Sequence, residues 1–258
     1  MTDTNTKSPV EGISDTEWQL RCELAALYRL VAHFRMTDLI YTHISARVPG
    51  PEHHFLINQY GLLFDEMRAS DLVKIDMEGN IVDQPGREGK KVNPAGFTIH
   101  SAVHMARKDL QFVLHTHTAA GMAVSCQKDG LLPITQLALK FYGRIAYHGY
   151  EGIALNLDER DRIVADLGDH NAMILHNHGL LVGGPTASQT WNWTYFLERA
   201  CQAQIAALAG NRQLVFPPED VRQTTQKQAN PTGYAEHQEL AWQACLRLIS
   251  RDPIPYNS

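Results

Sequence analysis

Residues 110–118, LQFVLHTHT, constrain this chain more than any other stretch, because two histidines close an apolar run. Successive side chains of a β-strand point to opposite faces, so His115 and His117 would project from the same face. Two neutral imidazoles on one rigid face form half of a divalent-metal site. The stretch therefore predicts a strand that carries two of the three protein ligands of such a site.

A third ligand is available in residues 175–181, LHNHGLL. A strand predicted over residues 171–177 would alternate Ala172, Ile174, His176 and His178 onto one face. Gly179 follows His178 and would allow backbone or substrate to approach closely. On the residues alone, either histidine completes a three-imidazole site with one open position, which is the arrangement of catalytic zinc centres.

Composition limits the classes of function. A chain of 258 residues that is 44% hydrophobic fits one substantial core, or at most two domains. A net charge of −5 argues against nucleic acid as a partner. No apolar run reaches the roughly 18 residues of a membrane span, and the polar N-terminus lacks the pattern of a secretory signal. Four scattered cysteines indicate reduced thiols, so a cytoplasmic location is expected.

The chain divides into three predicted parts. Residues 1–12 are expected to form a disordered N-terminal tail. Residues 13–212 are expected to form the main domain. Residues 213–258 are expected to form an irregular C-terminal segment and a helix that packs on the domain or on a neighbouring subunit.

Short strands and helices alternate along the main domain. Apolar alternation and β-branched residues predict strands at residues 39–48, 54–58, 62–64, 72–76, 110–118, 144–148 and 171–177. Apolar spacing and capping residues predict helices at residues 14–35, 94–109, 119–127, 156–167, 186–209 and 234–251. Composition predicts an irregular stretch at residues 216–233. Several strands are consecutive, which favours a mixed or antiparallel sheet flanked by helices.

Two long motifs resemble one known family. IHSAVHMARKDLQFVLHTHT, followed later by MILHNHGLLV, resembles the class II aldolase/adducin family. FLINQYGLLFDEMRASDLVKIDMEGNIVD is also similar to it, and is closer to the adducin branch than to the sugar-phosphate aldolases. The resemblance covers about residues 20–210. It implies a three-layer α/β/α sandwich with a central mixed, largely antiparallel sheet. It also implies a homo-oligomer, often a tetramer, with active sites between subunits and a small-molecule substrate.

The resemblance also assigns the metal ligands. The ligands of the family correspond to His115, His117 and His178, whereas His176 falls where the family varies. It implies one divalent ion per subunit, with zinc as the first expectation and manganese, cobalt or iron as alternatives.

The chain departs from the sugar-phosphate aldolases around this site. Gly96 stands where they have a catalytic Glu, and Pro94 and Ala95 stand where serines help to hold the substrate phosphate. Their other phosphate loop has a Gly-Asn pair where this chain has Thr42 and His43. The resemblance therefore implies a metal site without the usual acid/base and without much of the phosphate cradle.

Another group must then move protons. The predicted catalytic residues are His43, which sits at the substrate-loop position of the family, together with His100 and Tyr142. The predicted substrate contacts are Thr42, Ser45 and Asn93. Further candidates for proton transfer are Tyr147, His148 and Tyr150.

Three functions are considered. The first is a metal-dependent lyase acting on a small non-phosphorylated oxo or hydroxy acid. The second is a non-haem iron oxygenase on the same scaffold, and the third is a non-catalytic, adducin-like interaction module. Three intact histidines argue against the third. The first two stay open at this stage, because three imidazoles suit zinc, manganese, cobalt or iron.

Overall fold

The structure, a computed structural model, describes residues 7–82, 89–153, 156–229 and 234–258. Its strands are β1 (His43–Arg47), β2 (Phe55–Ile57), β3 (Val73–Ile75), β4 (Phe112–Thr116), β5 (Ile145–His148), β6 (Ala172–Leu175) and β7 (Gly179–Gly184). Its helices are α1 (Asp15–His33), α2 (Pro94–Ala106), α3 (Ala119–Ser125), α4 (Gln136–Leu139), α5 (Glu159–Leu167), α6 (Ala187–Leu208), α7 (Glu219–Gln228) and α8 (Tyr234–Ile249). A short 3-10 helix, Ala69–Asp71, precedes β3.

The strands form one seven-stranded sheet in the order β3-β2-β1-β4-β7-β6-β5. Only β5 and β6 run parallel, and every other neighbouring pair is antiparallel. The predicted mixed, largely antiparallel sheet is therefore confirmed. In the central pair β1–β4, His43 lies directly opposite His115.

Alternation along β4 separates two layers of helices. Phe112 and Leu114 pack with α1 and α6, whereas Val113 packs with α2 and α5. His115 is two residues beyond Val113, so it shares the face of the sheet that α2 and α5 cover. We call this the α2/α5 face, and it carries the site described below.

Local sequence explains where the main helices begin. Ser14 and Thr186 accept hydrogen bonds from the backbone N–H three residues later, which caps α1 and α6 as expected. Pro94 opens α2, where its missing N–H costs no hydrogen bond.

Two predicted segments are wrong. Residues 62–64 form a turn and not a strand, because the carbonyls of Leu63 and Phe64 accept from the N–H groups of Glu66 and Met67. The stretch predicted as irregular contains helix α7, whose first turn carries acidic side chains at the positive end of the helix dipole. Residues 230–233 of that stretch lie outside the described residues.

The ends of the chain bear on the predicted division into parts. Residues 1–6 of the predicted tail lie outside the described residues, and Ser8 donates its N–H to Asp15. Helix α8 packs against α1 and α6 and buries Trp242 and Ile249 in their core. The division itself stays a prediction. None of the described helices combines the length and the apolar character that crossing a membrane requires.

Candidate metal centre

Three histidines converge at one end of the α2/α5 face. His115 is on β4, His117 follows the end of that strand, and His178 directly precedes β7. Their candidate ligand atoms all lie within 4.8 Å of one another. Two nitrogens bound to one tetrahedral zinc ion by bonds of about 2.0–2.1 Å lie roughly 3.4 Å apart, which is within this range of distances. The three histidines could therefore hold one metal ion between them.

His178 reaches the cluster through a turn and not through strand alternation. Strand β6 ends at Leu175, and the N–H of His178 donates to the Leu175 carbonyl at 3.1 Å. Asn177 completes the turn with φ 56°, a conformation that Asn tolerates better than most residues. The predicted alternation of His176 and His178 onto one face is therefore wrong, because the strand ends too early.

Gly179 is required where the turn joins β7. A Cβ at this position would collide with the Thr116 carbonyl of β4 and would crowd the His117 ring. The expected close approach of backbone at this glycine is thus confirmed, and it brings His178 beside the other two histidines.

His176 faces a different part of the chain. Its Nδ1 lies 3.0 Å from the Ser125 carbonyl, and its ring stacks on Tyr147 with 5.5 Å between centroids. It does not belong to the cluster, whereas His178 does.

In His115 and His117, the hydrogen-bond partner of Nδ1 determines whether Nε2 carries a hydrogen or a lone pair. His115 Nδ1 lies 2.9 Å from the Leu180 carbonyl, and His117 Nδ1 lies 3.0 Å from the Asp38 carboxylate. Both partners are acceptors, so both Nδ1 atoms carry hydrogen. The two Nε2 atoms therefore present lone pairs to each other at 2.8 Å. Such a pair needs a shared proton or a shared cation.

Electrostatics disfavour a proton on His115 and on His178. Burial, together with the neighbouring imidazoles, holds the pKa of His115 well below its usual range. Burial, followed by the effects of His117 and His148, lowers the pKa of His178 to about 4. Neutral imidazoles are the form that binds metal.

His43 lies against the cluster and fills the space left by Gly96. Its ring stacks on His115 with 5.2 Å between centroids. A Cβ placed on Gly96 would lie 2.5 Å from His43 Cδ2 and 3.0 Å from His43 Nε2. The chain thus has an imidazole next to the position where the sugar-phosphate aldolases have a carboxylate.

Four buried side chains on β1 and α2 form a hydrogen-bonded series, which we call the His–Ser chain. Its members, in order, are His43, His100, Ser45 and His104. His43 Nδ1 lies 2.8 Å from His100 Nε2. His100 Nδ1 is bonded to Ser45 Oγ, and this hydroxyl lies 2.7 Å from His104 Nε2. Each member is at most 3% exposed. The positions of His100 and Ser45 fit an internal network better than direct contact with a substrate.

Thr42 and Asn93 directly precede β1 and α2, the two elements that carry this series. Thr42 is 1% exposed, has φ 68°, and its hydroxyl has no hydrogen-bond partner among the described residues. A left-handed conformation is a strained one for a β-branched residue, and strain of this kind concentrates at functional sites. Asn93 precedes α2, and its carbonyl accepts from the N–H of Phe97.

The remaining candidates for proton transfer occupy other surroundings. The Tyr142 hydroxyl donates to the Glu219 carboxylate at 2.6 Å, so this side chain is hydrogen-bonded to helix α7. The Tyr147 hydroxyl accepts from the N–H of Leu131, and its ring packs on His176. Tyr150 is exposed, with its ring centroid 6.4 Å from that of His178.

His148 is the buried exception among these candidates. Its Nδ1 is bonded to Asp166 at 2.7 Å, its Nε2 lies 3.5 Å from Glu159, and it lines a small cavity together with His178.

Sequence reasoning missed Asp38, which orients His117. No local pattern indicates this contact, because it joins residues 79 positions apart. It also missed the role of His104, although His100 and His104 are four residues apart and therefore share one face of α2.

Comparison with known proteins agrees with this architecture. The family model described as Class II Aldolase and Adducin N-terminal domain matches residues 22–205. The chain is 40% identical over 229 residues to alpha-adducin of Rattus norvegicus, which covers 87% of this chain and 31% of that protein.

Two solved structures extend the comparison. An aldolase II superfamily protein from Pseudomonas syringae is 57% identical with a TM-score of 0.88, over 95% of this chain and 98% of that one. An L-fuculose 1-phosphate aldolase from Glaciozyma antarctica PI12 is 31% identical with a TM-score of 0.82, over 98% of this chain and 97% of that one.

Proposed function

The chain belongs to the class II aldolase/adducin family, and from this premise we propose that it is a divalent-metal-dependent carbon–carbon lyase. The proposed reaction is aldol cleavage or decarboxylation of a small, non-phosphorylated oxo or hydroxy acid. The proposed ligands are His115, His117 and His178. The proposed ion is zinc, with manganese, cobalt and iron as the alternatives that imidazole ligands also accept.

One observation carries the proposal. The Nε2 atoms of His115 and His117 face each other at 2.8 Å while acceptors hold both Nδ1 hydrogens. Partners of this kind at the second nitrogen are typical of metal-binding histidines, whose ring orientation they set. A purely structural domain has no use for two lone pairs at this distance.

A divalent ion held by His115, His117 and His178 would supply Lewis acidity toward a substrate carbonyl. The chain supplies proton transfer through His43, which is stacked on His115 and lies where a side chain at position 96 would point. Burial comes first among the causes that hold the pKa of His43 well below its usual range, so the ring is neutral, which is the form that can accept a proton. The partnerless hydroxyl of Thr42 is the proposed contact to a substrate oxygen.

The substrate class follows from what the site lacks. Pro94 and Gly96 carry neither a hydroxyl nor a carboxylate. An acid without a phosphate group therefore suits the site better than a sugar phosphate, despite the 31% identity to an L-fuculose 1-phosphate aldolase.

The test begins with metal analysis of protein purified without oxygen. We expect about one divalent ion per subunit, followed by lyase products from oxo or hydroxy acids in a screen run with and without oxygen. His43→Ala is expected to retain the ion and lose the activity.

Three outcomes contradict parts of the proposal. Protein that neither carries nor takes up a metal ion would refute the metal centre. Turnover that requires oxygen would favour the iron oxygenase. Robust cleavage of L-fuculose 1-phosphate would refute the substrate class.

We further propose a homo-oligomer, with a tetramer favoured, in the cytoplasm. Leu39 and Ile153 support the oligomer, because they are 68% and 74% exposed in a single chain and a neighbouring subunit would cover such apolar groups. Light scattering of the purified protein measures the subunit number, and a monomer would refute it.

A further inference from the structure

His148, at the end of β5, has one ring nitrogen with a partner and one without. Its Nδ1 lies 2.7 Å from the Asp166 carboxylate of α5, which accepts the Nδ1 hydrogen. Its Nε2 is buried and has no hydrogen-bond partner among the residues that the structure describes. The side chain is only 4% exposed. A buried nitrogen of this kind is rare in folded proteins and indicates a partner that the chain itself does not supply, such as an ion or a water.

A carboxylate faces this nitrogen at a distance that suits a shared cation. Oε1 of Glu159 lies 3.5 Å from His148 Nε2, and the Glu159 side chain is 9% exposed. Hydrogen bonds between nitrogen and oxygen are shorter, at about 2.7–3.2 Å, and none joins these two atoms. A nitrogen and an oxygen bound to one tetrahedral zinc ion by bonds of about 2.0–2.2 Å lie roughly 3.4 Å apart. The separation is therefore long for a hydrogen bond and fits two ligands of one ion.

The space beside these two groups fits an ion and nothing larger. His148, Glu159 and His178 line a cavity of about 10 Å³. One water-sized group needs roughly 10–15 Å³ of such space, so an organic molecule does not fit. Tyr150 also lines the cavity and is 54% exposed, so an ion can reach the cavity from solvent without crossing the core.

We propose that His148 and Glu159 hold a second divalent cation, of the zinc type, beside the three-histidine cluster. His148 Nε2 and Glu159 Oε1 are its two protein ligands, and water completes the coordination. Asp166 is the outer partner that orients the His148 ring through Nδ1, as is typical of metal-binding histidines.

The second site is the weaker of the two, because it has two protein ligands and the three-histidine cluster has three. Protein purified without added metal therefore still carries about one ion per subunit, and the second site fills when metal is added. A cation there lies beside His178 and adds to the positive charge that attracts an anionic substrate.

Crystals of the protein soaked in zinc chloride test the site directly and need no variant. Anomalous difference density at the zinc absorption edge should show one peak at the three-histidine cluster. A second peak should lie about 2.0–2.2 Å from both His148 Nε2 and Glu159 Oε1. A peak at the cluster alone, with only a water between His148 and Glu159, would overturn the proposal.

Isothermal titration calorimetry of metal-free protein with zinc measures the same site in solution. Wild-type protein should bind two ions per subunit. Glu159→Gln keeps the size of the side chain but removes its charge, and it should weaken the weaker site by more than about 10-fold, since changes to outer partners alone cost roughly 10–100-fold. Asp161→Asn is the matched control, at an exposed carboxylate in the first turn of the same helix, and should leave both sites unchanged. Equal binding by the wild type and Glu159→Gln would overturn the proposal.

A third variant separates the two sites. His117 belongs to the three-histidine cluster and is not among the residues that line the cavity. His117→Ala should therefore lose the tighter zinc site and keep the weaker one, whereas loss of both sites would overturn the proposal.

The same titrations separate this inference from the proposed function. Protein that binds two zinc ions per subunit but turns over no acid would refute the function and keep the inference. Protein that turns over an acid but binds a single ion even in excess zinc would do the reverse.

Discussion

Two groups of buried histidines meet where His43 stacks on His115, and they differ in the partner of each ring nitrogen. In the three-histidine cluster, a carbonyl or a carboxylate accepts the Nδ1 hydrogen of His115 and of His117, and the Nε2 lone pairs of these two rings face each other. In the His–Ser chain, each ring nitrogen between His43 and His104 faces another ring nitrogen or a hydroxyl that can complete a hydrogen bond with it. Burial lowers pKa values in both groups. The partner of the second ring nitrogen, and not the number of histidines, therefore separates the proposed cation site from the hydrogen-bonded network.

The largest expected effect is on metal binding. His178→Ala should weaken zinc affinity by more than about 100-fold, since changes to outer partners of metal ligands already cost roughly 10–100-fold. His176→Ala is the matched control from the same turn and should change the affinity little, because its ring is bonded to the Ser125 carbonyl. Isothermal titration calorimetry of metal-free protein measures both, and a larger loss for His176→Ala would show that the ligand set is wrong.

The second effect tests the contact between the two groups. Gly96→Ala should destabilise the fold by about 1–3 kcal/mol, the usual cost of overpacking, because the new Cβ meets the buried His43 ring. In a His43→Ala background the same change should cost almost nothing, and chemical denaturation measures the difference. Gly149→Ala is the control, since no atom lies within 4 Å of its added Cβ. An equal cost in both backgrounds would contradict the contact.

The third expected effect is on the stability of the fold in acid. The pKa of His104 is about 3 in the folded chain, against an ordinary value of 6.5. Between these pH values the unfolded chain binds a proton that the folded chain does not bind. The contribution of the neutral His104 ring to the free energy of unfolding is therefore fully present above pH 6.5 and is lost as the pH falls toward 3. One such histidine contributes a slope of up to about 1.4 kcal/mol per pH unit.

His104→Gln should therefore reduce the slope of unfolding free energy against pH by about one proton, as measured by denaturation at several pH values. The control is His53→Gln, at an exposed histidine. A slope that His104→Gln leaves unchanged would argue against a neutral His104 in the folded chain.

Much of the fold could be predicted from local patterns. The capping residues Ser14 and Thr186 and the opening Pro94 act within one turn of the chain, so their effect is visible in the sequence. The apolar run in residues 110–118 predicted the strand that leads into the histidine pair, because this pattern also depends only on neighbouring residues. Helix α7 was missed because Val221 is its one apolar residue, which leaves no apolar period to detect.

The amino-acid sequence was enough to predict that two histidines lie together at the end of a strand and that a further histidine, His176 or His178, stands beside Gly179, because both features depend on neighbours in the chain. Which nitrogen of each ring carries a hydrogen, and which can accept a proton or bind a cation, depends on contacts of the tertiary structure. The Leu180 carbonyl, the Asp38 carboxylate and the Ser45 hydroxyl are all distant in sequence from the rings they contact. Since a hydrogen bond at one ring nitrogen sets the state of the other, the chemistry of these histidines depends on contacts that only folding creates.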